Sequence, residues 1–326
     1  MPKNKSSFLL LLLFLSFESY CQFTDVINSN RPGESMAAFS VGKTVIQAEM
    51  GFYGFKEKHD LQNYEAAGFG SNLDVRYGAF FEQLEFIMNL QYQHENYTSF
   101  LVDESYGGLK KTILGAKFLI YDPIKKYEEK PNLYSWKANH KFSYRQFIPA
   151  VGVYAGLNIN LSNDAFLRPG IPADKSISPK VMLLTQNQFG KYVLVTNIIL
   201  DKFLTEKQSI DYVITLTRGF SPRWSGYIEN QGFNNDYYAD SFIRGGAAFL
   251  VKQNIQIDAS IGTNFKSTPS ILNGGIGVSW RFDENYSEVM LRIPKEKSEK
   301  EKKTDKKKEK EKKRVDSFDG KTEKTK

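Results

Sequence analysis

Lys43–Phe55 reads KTVIQAEMGFYGF. Ile46, Ala48, Met50 and Phe52 occupy every second position, and Gln47 and Glu49 lie between them. A period of two is the side-chain period of an extended strand, and helical spacing does not reproduce it. The pattern recurs along the chain. Leu73, Val75 and Tyr77 oppose Asn72, Asp74 and Arg76; Leu84, Phe86, Met88, Leu90 and Tyr92 oppose Gln83, Glu85, Asn89, Gln91 and Gln93. Further stripes run over Thr112–Ile120, Val151–Ile159, Ile210–Leu216, Trp224 with Ile228, Ile243–Val251, Ile255–Ile261 and Ile276–Phe282, while 177–189 and 192–200 divide less cleanly. The expectation is about twelve strands within residues 41–283, an even number as single-chain bacterial barrels have.

Three features separate a membrane barrel from a soluble sandwich. Several runs reach about ten residues, the length of a tilted membrane strand, against about 5 to 6 in soluble sheets. The polar face carries charge in mid-strand, as a wet lumen would: Glu49, Asp74, Arg76, Glu85, Lys117, Asp211, Arg223, Glu229, Arg244, Asp258 and Arg281. Aromatics fall near strand ends, at Tyr53, Phe55, Tyr92, Tyr97, Tyr121, Tyr192, Trp280 and Phe282, where interfacial girdles belong. The expected fold is therefore a closed, antiparallel, up-and-down transmembrane β-barrel. Tight turns are expected at Gly78–Glu82, at Gly190 and at Val251–Asn254, facing the periplasm; longer polar loops are expected at 94–110, 123–140, 162–176 and 232–240, facing outward.

The chain ends support export. Lys3 and Lys5, the apolar run Phe8–Leu15 and the small residues of Ser19-Tyr20-Cys21 make residues 1–21 a signal peptide, with an apolar core too short to span a bilayer as a helix. Acylation at Cys21 is the rival, but Tyr20 is bulky where a lipoprotein site takes a small residue, which favours cleavage before Gln22. Cys21 is the only cysteine, so disulfide, thiolate-metal and cysteine-nucleophile chemistry are not expected of the mature chain. The formal charge of +7 does not point to nucleic acid: Lys295–Lys326 holds 15 Lys and Arg against 9 Asp and Glu, the signal adds +1, and residues 22–294 balance to zero. Residues 284–326 read as a Lys/Glu-rich disordered periplasmic tail with almost nothing apolar to bury.

Asn30-Arg31-Pro32-Gly33-Glu34-Ser35, then Val41-Gly42-Lys43 and Gln47-Ala48-Glu49-Met50-Gly51, resemble the opening of the outer-membrane barrel family of the meta-pathway of phenol degradation. That pattern runs from an acidic residue and Arg-Pro through Glu-Ser and a Gly-Lys turn to a first strand Gln-x-Glu-x-Gly; Asn30 stands here in place of the acid. Val75-Arg76-Tyr77-Gly78 and Leu84-Glu85 are also similar. The resemblance covers residues 28 to 90. It implies movement of small, often hydrophobic molecules across the outer membrane, and a segment 22–40 that enters or edges the lumen. Arg31 then becomes a candidate partner for Glu49, Glu85 or Asp258; a free periplasmic leader is the alternative.

No catalytic, metal or cofactor constellation stands out. The histidines of the mature chain are His59, His94 and His140, at strand ends or in loops; His94 with Ser99 or Ser105 is the best case for a lipid hydrolase, and no spacing demands it. Gly245-Gly246 and Gly274-Gly275 lie inside strands, not in phosphate-binding loops. The reading is a non-enzymatic, monomeric barrel of the cell outer membrane passing a small-molecule permeant, with outer-membrane lipids and the barrel-assembly machinery as partners. A plugged structural or binding barrel is the alternative. Mixed lumen charges serve either cross-strand pairing or a field that selects permeants.

Overall fold

A computed structural model describes residues 27–123, 147–161, 166, 168 and 174–282. The expected signal peptide, the first residues of the 22–40 segment, most of the 123–140 loop, His140 and the basic tail lie outside the described residues. Twelve strands follow one another in the chain: β1 Ile46–His59, β2 Tyr64–Gly78, β3 Leu84–Ser99, β4 Asp103–Tyr121, β5 Ala150–Ile159, β6 Ile177–Phe189, β7 Tyr192–Asp201, β8 Ser209–Gly219, β9 Trp224–Asn234, β10 Ala239–Lys252, β11 Ile255–Asn264 and β12 Ser270–Phe282. Each pairs antiparallel with its sequence neighbour, and β1 closes on β12 from Ile46↔Phe282 to Lys58↔Ser270. Closure leaves no unpaired edge along the cylinder, the condition for strands to exist in hydrocarbon.

The period-two pattern acts as a sorting rule. Ile46, Phe52, Phe86, Leu114, Ile210, Ile228, Ile276 and Trp280 are exposed on the outer wall, while Gln47, Glu49, Arg76, Glu85, Lys117 and Glu229 are fully buried inside. A water-soluble protein does the reverse, so this inversion identifies hydrocarbon as the outer solvent. The unclear alternation at 177–189 and 192–200 has a physical reason. Here the inner face is apolar too: Ile87, Ile113, Tyr154, Met182, Leu184, Ile199 and Val213 form a greasy sector inside the lumen of β3 to β8.

Several expectations need correction. Residues 94–110 are not a loop: β3 and β4 continue through them and are joined by 100–102 alone. The polar residues there hydrogen-bond as cross-strand partners, such as Asn96 with Ser105, so their polarity did not signal a loop. The 232–240 loop contracts to 235–238. The connection 122–149 leaves the barrel at the end that also holds Ile46 and Phe282, together with the short turns, so loop length does not sort the two ends as expected. Among the short turns, Gly190 adopts φ 61° in the two-residue link between Phe189 and Tyr192, a left-handed conformation that glycine takes without Cβ strain. Tyr53, Phe55 and Tyr97 do not join a lipid girdle. They share the inward parity of Glu49 and Glu95; Tyr53 and Phe55 line the lumen cavity, and Tyr97 stacks under Arg168.

Candidate functional site

The site grows from a simple requirement: a chain entering a barrel must find partners for its backbone N–H groups, since it adds to no sheet. Residues 27–41 run through the lumen near the barrel's terminal end, where Ile46 and Phe282 lie, and wall side chains supply those partners. The Glu49 carboxylate accepts from Asn30 N–H at 3.1 Å, Arg31 N–H at 3.2 Å and the Ser29 hydroxyl at 2.8 Å. Glu229 accepts from Glu34 N–H at 3.0 Å and Ser35 N–H at 3.3 Å. Asn197 brackets Met36, accepting its N–H at 2.7 Å and donating to its carbonyl at 2.9 Å, as a neighbouring strand would. Gln186 accepts from Ala38 N–H, and Glu85 from Val41 N–H. In the opposite direction, Gln256 donates to the Arg31 carbonyl and Tyr227 to that of Pro32. Met36, Ala38 and Phe39 pack against the apolar inner sector. The segment is thus a plug held at both polar and apolar ends.

Charged wall residues meet in a compact group beneath the plug. Arg76 makes four hydrogen bonds, to both Glu85 oxygens at 2.6 and 3.2 Å, to Glu49 at 2.9 Å and to the Asn28 carbonyl at 2.8 Å. Lys117 uses all three ammonium protons, on Glu85 at 3.1 Å and on the carbonyls of Ala37 at 3.1 Å and Phe39 at 2.9 Å. All four ionic side chains are 0% exposed. Buried ions persist only when paired and hydrogen-bonded, and here the second set of partners is the plug itself. Across the lumen, Arg244 bonds Glu229 at 3.1 Å. Arg31 reaches Asp258 through Nε at 3.3 Å and Nη2 at 3.1 Å. Its guanidinium fits because Gly51 and Gly277, opposed in the β1–β12 register, leave a slot that a Cβ at either position would fill.

The remaining candidates are dispersed. Asp74 bonds Asn89, Asp211 bonds Ser209, and Arg281 is buried beside the β10–β11 turn. Arg223 is not a lumen residue: it lies exposed in the β8–β9 turn, one position before β9 begins, so alternation no longer governs its direction. Lipid-hydrolase geometry is not assembled among the described residues. His94 stacks on Phe69 at 5.3 Å on the outer wall, while the Ser105 hydroxyl bonds Asn96 instead.

Among the described residues, cavities lie on both sides of the plug. Toward the terminal end lies one of about 260 Å³; toward the distal end lies one of about 740 Å³, large enough for a small organic molecule. Two residues of the larger one escaped the alternation rule. Gln91 pairs with Lys111 but Tyr92 with Leu109, so Lys110 is the extra residue of a β-bulge and both lysines line the cavity. Adjacent lysines in an otherwise alternating strand were the signal for it. The neutral plug partners Gln186, Asn197 and Gln256 gave none beyond their inward parity. Above the cavity Arg168, from the connection before β6, pairs with Glu95 at 2.6 Å and Glu57 at 3.0 Å.

Similar architecture occurs in solved structures. The COG4313 outer membrane channel from Pseudomonas putida F1 superimposes with a TM-score of 0.51 at 12% identity, covering 78% of this chain and all (100%) of that one. The translocator domain of autotransporter NalP from Neisseria meningitidis gives 0.43 at 10% identity, covering 78% and 90%. The KdgM porin gives 0.43 at 9%, covering 71% and 99%. At 12% identity the likeness to the COG4313 channel is one of fold. Among curated proteins none matches the chain. The match of a sequence family extends over residues 29–282, from the plug to the last strand, and by it the chain belongs to the family described as "Putative MetA-pathway of phenol degradation".

Proposed function

We propose that this chain is a monomeric outer-membrane channel, delivered by its signal peptide and the barrel-assembly machinery, that passes a small organic molecule through the lumen when the 27–41 plug shifts. The carrying observation is the plug's mode of attachment. Its backbone is held by side chains rather than by a sheet ladder, so it can leave without unzipping any strand pair. A lipid-facing apolar wall, a closed cylinder and a distal cavity of about 740 Å³ support the reading. The same plug favours the second reading, a barrel that passes nothing. Liposome swelling by the full-length protein separates the two. The channel reading expects slow entry of a small neutral sugar with the wild type and faster entry with Arg31→Ala; no entry with either leaves the structural barrel. Fractionation with heat-modifiable gel migration tests the location, and a soluble periplasmic pool without a mobility shift would overturn it.

A further inference from the structure

The distal cavity is amphipathic in an ordered way. Its floor is the apolar inner sector, including Ile87, Ile113, Met182 and Val213. Its rim carries six basic side chains against three acidic ones. Four are already committed to ion pairs: Arg31 to Asp258, Arg244 to Glu229, Lys202 to Asp174, and Glu57 to Arg168. Three lysines have little or no ionic partner. Lys111 makes no ion pair among the described residues, Lys110 donates to the neutral Gln93 amide at 2.9 Å, and Lys180 lies 4.0 Å from Asp201. The bulge that turns Lys110 inward beside Lys111 concentrates this charge where plain alternation would have sent one lysine to the lipid.

One carboxylate lies among these cations without a side-chain hydrogen-bonding partner among the described residues. Glu34, at the crest of the plug, is fixed by its backbone N–H on Glu229, while its side chain is open to the cavity. The positive groups acting on that carboxylate are Arg244, Lys111, Arg31 and Lys180. A tethered carboxylate in a lysine-rimmed, apolar-floored cavity occupies the place that a diffusible one of matching shape would take.

We infer that the distal cavity is a binding site for a small organic carboxylate with an apolar body, and that Glu34 is its built-in competitor, so that arrival of the free acid weakens the plug's hold. The inference rests on the channel reading for its consequence but not for the binding itself. Benzoate is a suitable probe, with benzyl alcohol as its neutral counterpart, titrated calorimetrically into the full-length barrel in detergent. Benzoate should bind more tightly than benzyl alcohol. Glu34→Gln should tighten benzoate about tenfold, and Lys111→Gln or Lys180→Gln should weaken it about tenfold, with benzyl alcohol unmoved. Retention of heat-modifiable migration verifies that each variant is folded. In the wild type, raising KCl should weaken benzoate and not benzyl alcohol, which needs no variant.

Equal affinity for the two probes, or indifference to both Glu34→Gln and the lysine substitutions, would overturn the site. Swelling assays keep the two claims apart. Passage of solutes together with equal affinity for benzoate and benzyl alcohol sinks the carboxylate site and spares the channel. Benzoate binding with the expected charge dependence but no passage does the opposite.

Discussion

Removing the Arg31 side chain should release the plug by an amount that the geometry sets. The guanidinium makes two hydrogen bonds to Asp258, at 3.3 and 3.1 Å, with side chains 11% and 0% exposed. In a dry interior, deleting one partner of such a pair costs about 3 to 5 kcal/mol, because the other charge is left stranded. Arg31 borders both lumen cavities, so Asp258 regains hydration when the guanidinium goes. About 2 to 3 kcal/mol, the upper range for hydrogen bonds to charged groups, is the appropriate figure. Only the docked state loses this energy. The docked-to-undocked ratio should therefore fall roughly 30- to 140-fold, at about 1.4 kcal/mol per factor of ten. Maleimide labelling reads the ratio directly. Ser35 is 7% exposed and hydrogen-bonds through its backbone, so the thiol introduced by Ser35→Cys, in a chain carrying Cys21→Ser, reacts chiefly when the plug is out. Arg31→Ala should raise that labelling rate by the same factor. A change below about threefold, with heat-modifiable migration intact, would mean that the Arg31–Asp258 pair does not hold the plug.

Gly277→Ala should reproduce the Arg31→Ala phenotype, because its Cβ falls on the guanidinium, whereas Gly274→Ala, whose nearest neighbour is 3.4 Å away, should leave labelling unchanged. Glu85→Gln strips the shared carboxylate from Arg76 and Lys117, both 0% exposed, and should destabilise the barrel by about 3 to 5 kcal/mol, read as an earlier heat-modifiable transition; an unchanged transition temperature contradicts the buried triad. On the lipid wall, Leu114→Arg should cost about 2 to 4 kcal/mol in a urea titration of folding into vesicles, while Asn89→Arg, inside the lumen beside Asp74, should cost less than about 1 kcal/mol. Equal costs at the two positions would reverse the assignment of faces.

The strands were legible because lipid and water sort side chains at every second residue, and Ile46 through Phe52 or Ile276 through Phe282 carry that sorting in full. Legibility failed where one of those solvents was missing. β6 and β7 have apolar residues on both faces, since Met182, Leu184 and Ile199 belong to the apolar inner cluster against which Met36 and Phe39 of the plug pack. Tyr53 and Phe55 looked like a girdle because aromatic character marks an interface only if the residue points to lipid, and their parity sends them inward. At Lys110 a bulge reset the parity itself.

By itself, the sequence determined the class of fold, its strand number and the inward direction of nearly every charged candidate, because those follow from a local, periodic rule that each strand obeys separately. Which charges meet was decided only in three dimensions. Arg31 finds Asp258 across 227 positions, and Asn197 finds Met36 across 161, through barrel closure and the path of a segment that belongs to no strand. Contacts of that range depend on the register of all twelve strands at once, and no stretch of the chain encodes them alone.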